Sequence, residues 1–202
     1  MRHGCITRPW WTMTLATGAL ALAHCGEAPP TVAGTAYDLS GRAVDPTAAG
    51  SNPATVVVFV RDDCRISNRY APTLRQLHAE FVPRGVAFFL AYPDPDVDAD
   101  AIRAHLADYR HPGTPLRDPD HALVRRAGAT ITPEAVVFAS DGRLTYRGRI
   151  DDWYVAFGRT RPAATTYDLR DALEATLAGR PVEPSTTKAV GCFIVDLEPA
   201  KD

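Results

Sequence analysis

Two stretches of this chain carry residues suited to covalent chemistry at neutral pH. The first, Thr55 to Leu74, reads T-V-V-V-F-V-R-D-D-C-R-I-S-N-R-Y-A-P-T-L and holds Cys64. The second, Ala189 to Val195, reads A-V-G-C-F-I-V and holds Cys192. A thiol becomes a nucleophile where its thiolate is favoured, as at a helix N-terminus, whose unpaired amides and macrodipole attract an anion. Cys64 has that setting. Val56 to Val60 is a continuous β-branched and aromatic run, the mark of a strand buried on both faces. Arg61, Asp62 and Asp63 then form a polar turn in which either aspartate can accept from the free N–H groups of a helix starting at Cys64. The chemistry expected there is thiol redox chemistry; the bland alternative is a small buried core cysteine.

The elements that must position Cys64 follow from pattern. Its helix is expected to run to about Val82 and stop at Pro83-Arg84-Gly85, with Leu74, Leu77, Phe81 and Val82 facing a sheet. Val86 to Ala91 is a second buried strand, parallel to the first through a right-handed crossover. Asp94, Asp96, Asp98 and Asp100 alternate in an acidic loop but lack the glycine and final glutamate of a calcium loop. Asp98 and Asp100 suit capping of the helix Ala101 to Tyr109 better. His111 to Pro115 are turn residues, and Leu116 to Asp120 lead into a short helix, His121 to Ala127, that ends at Gly128. Val136–Ala139 and Leu144–Arg149 form a hairpin about Ser140-Asp141-Gly142-Arg143. Trp153 to Pro162 is an aromatic and basic insertion that would rim the site, and Leu169, Leu173 and Leu177 mark the last helix.

The chain has 202 residues, 46% hydrophobic, with a net charge of -2, which suits one domain with a full-sized core plus extensions. Arginines are scattered among acids, so no nucleic-acid footprint is visible. Arg2 and Arg8 precede an uncharged apolar segment, Trp10 to Ala23, too short for a comfortable span; residues 1–26 read as a signal peptide or lipoprotein leader. Leu22-Ala23-His24-Cys25 resembles a lipobox in which Cys25 would take a lipid anchor, although His24 stands where a small residue is usual. The protein is therefore expected to be exported, to the periplasm or to a membrane as a lipoprotein. Residues 27–53 are a tether and N-terminal extension, with a hairpin about Ser40-Gly41; 54–180 are the folded domain; 181–202 are a C-terminal arm. Cys64 and Cys192 are the two cysteines of the folded part, and an oxidising compartment would allow one disulfide.

The spacing of Cys64, Ser67, Ala71 and Pro72 resembles the C-x-x-C-x-x-x-A-P helix of the thioredoxin superfamily, with Ser67 in place of the second cysteine. Gly128 to Phe138, with T-P at Thr132-Pro133, resembles the loop in which that superfamily sets a cis proline against the active-site cysteine. The backbone before that proline, here Thr132, would be available to hold an incoming chain. Y-R-G-R-I-D-D from Tyr146 to Asp152 and the G-C-x-I tail at Gly191 to Ile194 resemble a peroxiredoxin-like, AhpC/TSA-type redoxin branch. The resemblance covers roughly Tyr37 to Val195. It implies an α/β thioredoxin-like fold: a central mixed sheet flanked by helices, with an N-terminal hairpin and a C-terminal arm.

It also implies a thiol-dependent oxidoreductase in which Cys64 is the nucleophile, Ser67 a donor to its thiolate, and Cys192 a resolving cysteine on a flexible arm. Arg147 would help hold the thiolate or a peroxide oxygen, although a solvated strand face explains it as well. The partners would be a protein dithiol or disulfide, or a small peroxide, with an external thiol reductant; no cofactor is needed. Disulfide exchange is favoured over antioxidant peroxide reduction. Peroxiredoxins hold a proline and a threonine or serine seven and three residues before their cysteine, positions taken here by Val57 and Arg61. Two other classes remain open: copper binding of the Sco type, using Cys192 with His105, His111 or His121, and a non-catalytic docking module.

Overall fold

A computed structural model describes residues 35–48, 50 and 52–194. The leader, its lipobox-like Cys25 and residues 27–34, 49 and 51 of the tether lie outside the described residues, as do residues 195–202. The chain divides into two units, Met1–Pro30 and Thr31–Asp202, and every described residue belongs to the second. Among the described residues no helix is long and apolar enough to cross a membrane.

The expected N-terminal hairpin is present: β1 (Ala36–Tyr37) pairs antiparallel with β2 (Ala43–Val44). Gly41 takes the left-handed turn position at φ 85°, where a side chain would be strained. Next come β3 (Ala54–Phe59), the helices α1 (Arg65–Arg69) and α2 (Ala71–Phe81), β4 (Ala87–Tyr92) and α3 (Ala99–Tyr109). They are followed by β5 (Thr114–Arg117), α4 (Ala122–Ala127), β6 (Ile131–Thr132), β7 (Glu134–Ala139) and β8 (Leu144–Gly148). The chain closes with a small hairpin of β9 (Tyr154–Ala156) and β10 (Arg159–Thr160), then α5 (Asp168–Leu177) and β11 (Cys192–Phe193).

Seven strands form one mixed sheet in the order β2-β1-β5-β4-β3-β7-β8. The valine-rich run is its centre: β3 is parallel to β4 on one side, antiparallel to β7 on the other, and buried at all six residues. Alternate side chains of a strand point to opposite faces, so Val56 and Val58 pack with α2 and α5 residues such as Leu74, Phe81 and Leu173. Val57 and Phe59 pack on the other face with Leu123 and Val124 of α4. The strand that delivers Cys64 is thereby held between two cores.

Several local expectations are corrected. The helix after Cys64 is divided at Tyr70 into α1 and α2. Pro72 sits in the first turn of α2, where a missing N–H is tolerated and the preceding helix cannot continue unbroken. Cys64 is the N-cap residue itself and receives no side-chain cap; Asp63 pairs with Arg61 at 2.9 Å instead. Asp98 does cap α3, accepting from the amides of Asp100 and Ala101, whereas Asp100 pairs with Arg103. Pro115, read as a turn residue, lies in a strand, β5, parallel to β4. Pro115 is accepted because β1 pairs with β5 at Arg117 alone, leaving no N–H demanded of the proline.

The C-terminal segment is no loose linker. The Arg147 amide donates to the Ser185 carbonyl and the Thr187 amide to the Arg147 carbonyl, each at 3.0 Å, so residues 185–187 run beside β8. The Thr187 hydroxyl lies 2.6 Å from the Tyr146 hydroxyl and accepts from the Arg149 amide at 3.1 Å. A Cβ on Gly148 would lie 2.8 Å from the Thr187 nitrogen, so this anchorage requires a glycine there.

Candidate active site at Cys64

Cys64 is fully buried at the junction of β3 and α1. Its Sγ donates to the Thr132 carbonyl at 3.3 Å, across 68 residues of chain. The Thr132–Pro133 peptide is cis. β11 pairs antiparallel with β6 so that Cys192 faces Thr132 and Phe193 faces Ile131. Both cysteines are free thiols. The arm therefore brings Cys192 to the same residue, Thr132, whose carbonyl accepts from Cys64.

Burial by itself would raise the Cys64 thiol, but the neighbouring Cys192, the Ser67 hydroxyl and the Ser67 and Ile66 amides outweigh it and lower the pKa. Thr132 acts in the opposite sense, because its carbonyl accepts only from the protonated thiol. Three kinds of donor against one acceptor leave the thiolate favoured. Ser67 is fully buried, and its hydroxyl has no partner at ordinary hydrogen-bond geometry. An orphaned buried hydroxyl is costly, and a thiolate on Cys64 gives it an acceptor. Cys192 is the complementary member: burial pushes its thiol up to about 12, with the adjacent Cys64 sulfur and Asp63 acting the same way and Arg61 against them. Cys64 is thus the more acidic of the two thiols and Cys192 the less acidic.

Arg147 is placed away from this pair. Its guanidinium donates to the Gly128 carbonyl and lies 3.7 Å from Glu134, so it braces the loop before β6. Arg61, which the residue pattern offered only as a partial substitute, is the arginine whose charge acts on Cys192. Three residues not singled out from sequence shape the site. A Cβ on Gly191 would collide with the Thr132 carbonyl, and Thr187 anchors the arm. Asn68 joins α1 to α3: its amide group donates to the Asp62 carbonyl at 2.9 Å and its oxygen lies 2.7 Å from His105 Nε2. The G-C pair was visible in sequence; the close approach that demands the glycine was not.

Among the described residues no group of three or more His, Cys, Asp or Glu side chains is arranged to hold a metal ion. His105 Nδ1 lies 2.9 Å from the Tyr92 hydroxyl and its ring is packed against His111, while His121 meets the Pro93 carbonyl at 2.8 Å. The Trp153 insertion borders a separate cleft with Pro72, Leu77 and Tyr167 that does not include Cys64.

No protein-family profile and no curated protein matches the sequence. Solved structures do match the fold. An uncharacterized conserved protein of Geobacillus kaustophilus is 25% identical with a TM-score of 0.67, over 83% of this chain and 89% of that one. A hypothetical protein of Sinorhizobium meliloti is 23% identical with a TM-score of 0.67, over 79% and 88%. A DsbE-type thiol:disulfide interchange protein of Chlorobium tepidum is 17% identical with a TM-score of 0.53, over 71% and 92%. The chain has the thioredoxin-like fold: a central mixed sheet flanked by helices, with a cysteine at a strand-to-helix junction.

Proposed function

We propose that the protein is an exported thiol-disulfide oxidoreductase in which Cys64 and Cys192 form the redox pair. The observation that carries this reading is the antiparallel pairing of Cys192 with Thr132, the residue whose carbonyl accepts from Cys64. Thr132 supports the pairing, since its carbonyl accepts from Cys64 Sγ and its backbone pairs with Cys192, and Ser67 would stabilise a charge on Cys64. In the cycle, the Cys64 thiolate attacks a substrate sulfur and expels the other as a thiolate; Cys192 then attacks the Cys64 sulfur and releases the substrate. The high pKa of Cys192 does not block the second step. Once Cys64 is in a mixed disulfide its charge is gone, and with it one cause of the shift. An external thiol reductant restores the two thiols. Export rests on the leader sequence at residues 1–26.

Disulfide exchange is preferred to peroxide reduction because Val57 is buried in β3 and offers the site no polar atom, while Arg61 is paired with Asp63 and Asp94. The test is iodoacetamide-trapped mass mapping after a stoichiometric dose of oxidised dithiol or, separately, of peroxide. A Cys64–Cys192 disulfide that forms with the dithiol and clears with dithiothreitol is expected. Formation with peroxide alone would favour the peroxidase, and an unreactive Cys64 under both would leave a docking role.

A further inference from the structure

The edge of Ile131 and Thr132 is where an extended chain can pair beside Cys64, and the protein's own residues occupy it. Cys192 and Phe193 take the antiparallel register, the Ile194 amide donates to the Thr130 carbonyl at 3.1 Å, and the Thr132 hydroxyl donates to the Cys192 carbonyl at 3.3 Å. Gly191 lies against the Thr132 carbonyl with no room for a Cβ, and Ile194 is buried in the core on the α4 side of the sheet. Phe193 alone turns outward, 78% exposed. Each edge residue has one N–H and one main-chain carbonyl to offer, so a second strand cannot pair there while this one does.

We propose that Gly191–Ile194 is a resident competitor strand, which an extended, disulfide-bearing polypeptide must displace to reach Cys64 and whose return expels the reduced product. This rests on the two-cysteine reading and names its partner. With the arm released, the Cys64 thiolate bonds to one sulfur of the substrate disulfide, and the other leaves as a thiolate. Cys192, having lost its proton to solvent, bonds to the Cys64 sulfur, and the second substrate sulfur leaves as a thiolate. The substrate gains two electrons and the cysteine pair loses two. Because Cys192 arrives as a strand on the same edge, forming the internal disulfide and evicting the substrate strand are one event.

The test uses the full chain carrying Cys192→Ser, in which no internal disulfide forms, so its result is independent of the redox cycle. The probe is a synthetic peptide of residues 187–194 with serine at the cysteine position. Adding Gly191→Val or, as a second route, Ile194→Asp should raise the rate of Cys64 alkylation by iodoacetamide about tenfold or more, since a buried thiol reacts through local opening. Excess peptide should return the rate toward that of the parent. In the unperturbed Cys192→Ser protein, the same excess should speed hydrogen exchange of the Ile194 amide. Unchanged alkylation in a natively folded variant overturns the proposal, as does an Ile194 amide whose protection ignores saturating peptide. A wild type that forms no Cys64–Cys192 disulfide defeats the two-cysteine reading instead.

Discussion

Cys64 and Cys192 are unequal thiols that flank one residue: Cys64 Sγ donates to the Thr132 carbonyl at 3.3 Å, and Cys192 is paired with Thr132 across an antiparallel ladder. The inequality is a property of donors. The donors around Cys64 lower its pKa, whereas burial and the neighbouring Cys64 sulfur raise that of Cys192. In the proposed cycle this difference would make Cys64 the nucleophile and Cys192 the resolver.

Removing a donor should move Cys64 and leave its fold alone. Ser67→Ala and Cys192→Ala each delete a group that lowers the Cys64 pKa. Each is expected to shift the thiolate absorbance titration to higher pH, by about one to two units, the range expected for a single hydrogen bond to a charged group. An unmoved titration in Ser67→Ala would mean that the amides of α1 alone set the thiolate.

Gly148→Ala tests the root of the arm. The added methyl would be driven into Thr187, whose hydroxyl bridges Tyr146 and Arg149. The arm should loosen from β8 at a cost of about 1–3 kcal/mol by analogy with overpacking. Cys64 should then alkylate faster although Gly148 lies on another strand. A stability loss without any gain in Cys64 reactivity would show that the arm is held by β6 alone.

How much of this was legible in sequence depends on distance along the chain. Val56 to Val60, Cys64 at its helix start and Pro133 at its strand start are local signals, and the fold and the site were readable from them. Pro115 hid β5 because a proline argues against a strand unless the neighbour's register is known. Asp62 and Asp63 had the right type for caps, but a nearby arginine, invisible to capping rules, took Asp63. The docked arm was hardest to see: two-residue strands joined across 60 residues have no periodicity of their own. Only the G-C-x-I resemblance pointed to it, and that placed Cys192 on a flexible arm when the arm is anchored at Thr187.

Tyr70 closes α1 and donates to buried Asp151 at 2.6 Å, beside the Trp153 amide at 2.9 Å. Burial raises the Asp151 pKa; Tyr70 and Trp153 counter it, and Asp152 and Asp168 reinforce it. Tyr70→Phe removes one counterweight. A folded-state pKa above the unfolded value means that the folded carboxyl holds its proton more tightly, so its stability contribution is lost as pH rises through that folded pKa. The variant should lose about 1–3 kcal/mol at neutral pH, the cost of a buried acceptor left short of a donor. The deficit should shrink as pH falls and Asp151 protonates. Urea denaturation at neutral and mildly acid pH measures this, and a deficit independent of pH would refute it.

His111 governs the acid limb of stability. Its ring is buried 4.8 Å from that of His105, and neither ring nitrogen has a hydrogen-bond partner. Burial, with His105 and Arg75 adding to it, pushes its pKa from 6.5 down to about 4. The folded protein therefore keeps this histidine neutral in a window where the unfolded chain binds a proton. Stability must fall as pH drops from the unfolded value of 6.5 toward the folded one, by up to about 3 kcal/mol. His105, lowered in the same direction by burial, adds to the slope. His111→Phe fills the same space without a titrating group or orphaned nitrogens. It should match or exceed the wild type near neutral pH and be clearly more stable at pH about 5. Urea melts of the two proteins across that range decide it: converging curves toward neutral pH are expected, and parallel ones would show that the acid sensitivity arises elsewhere.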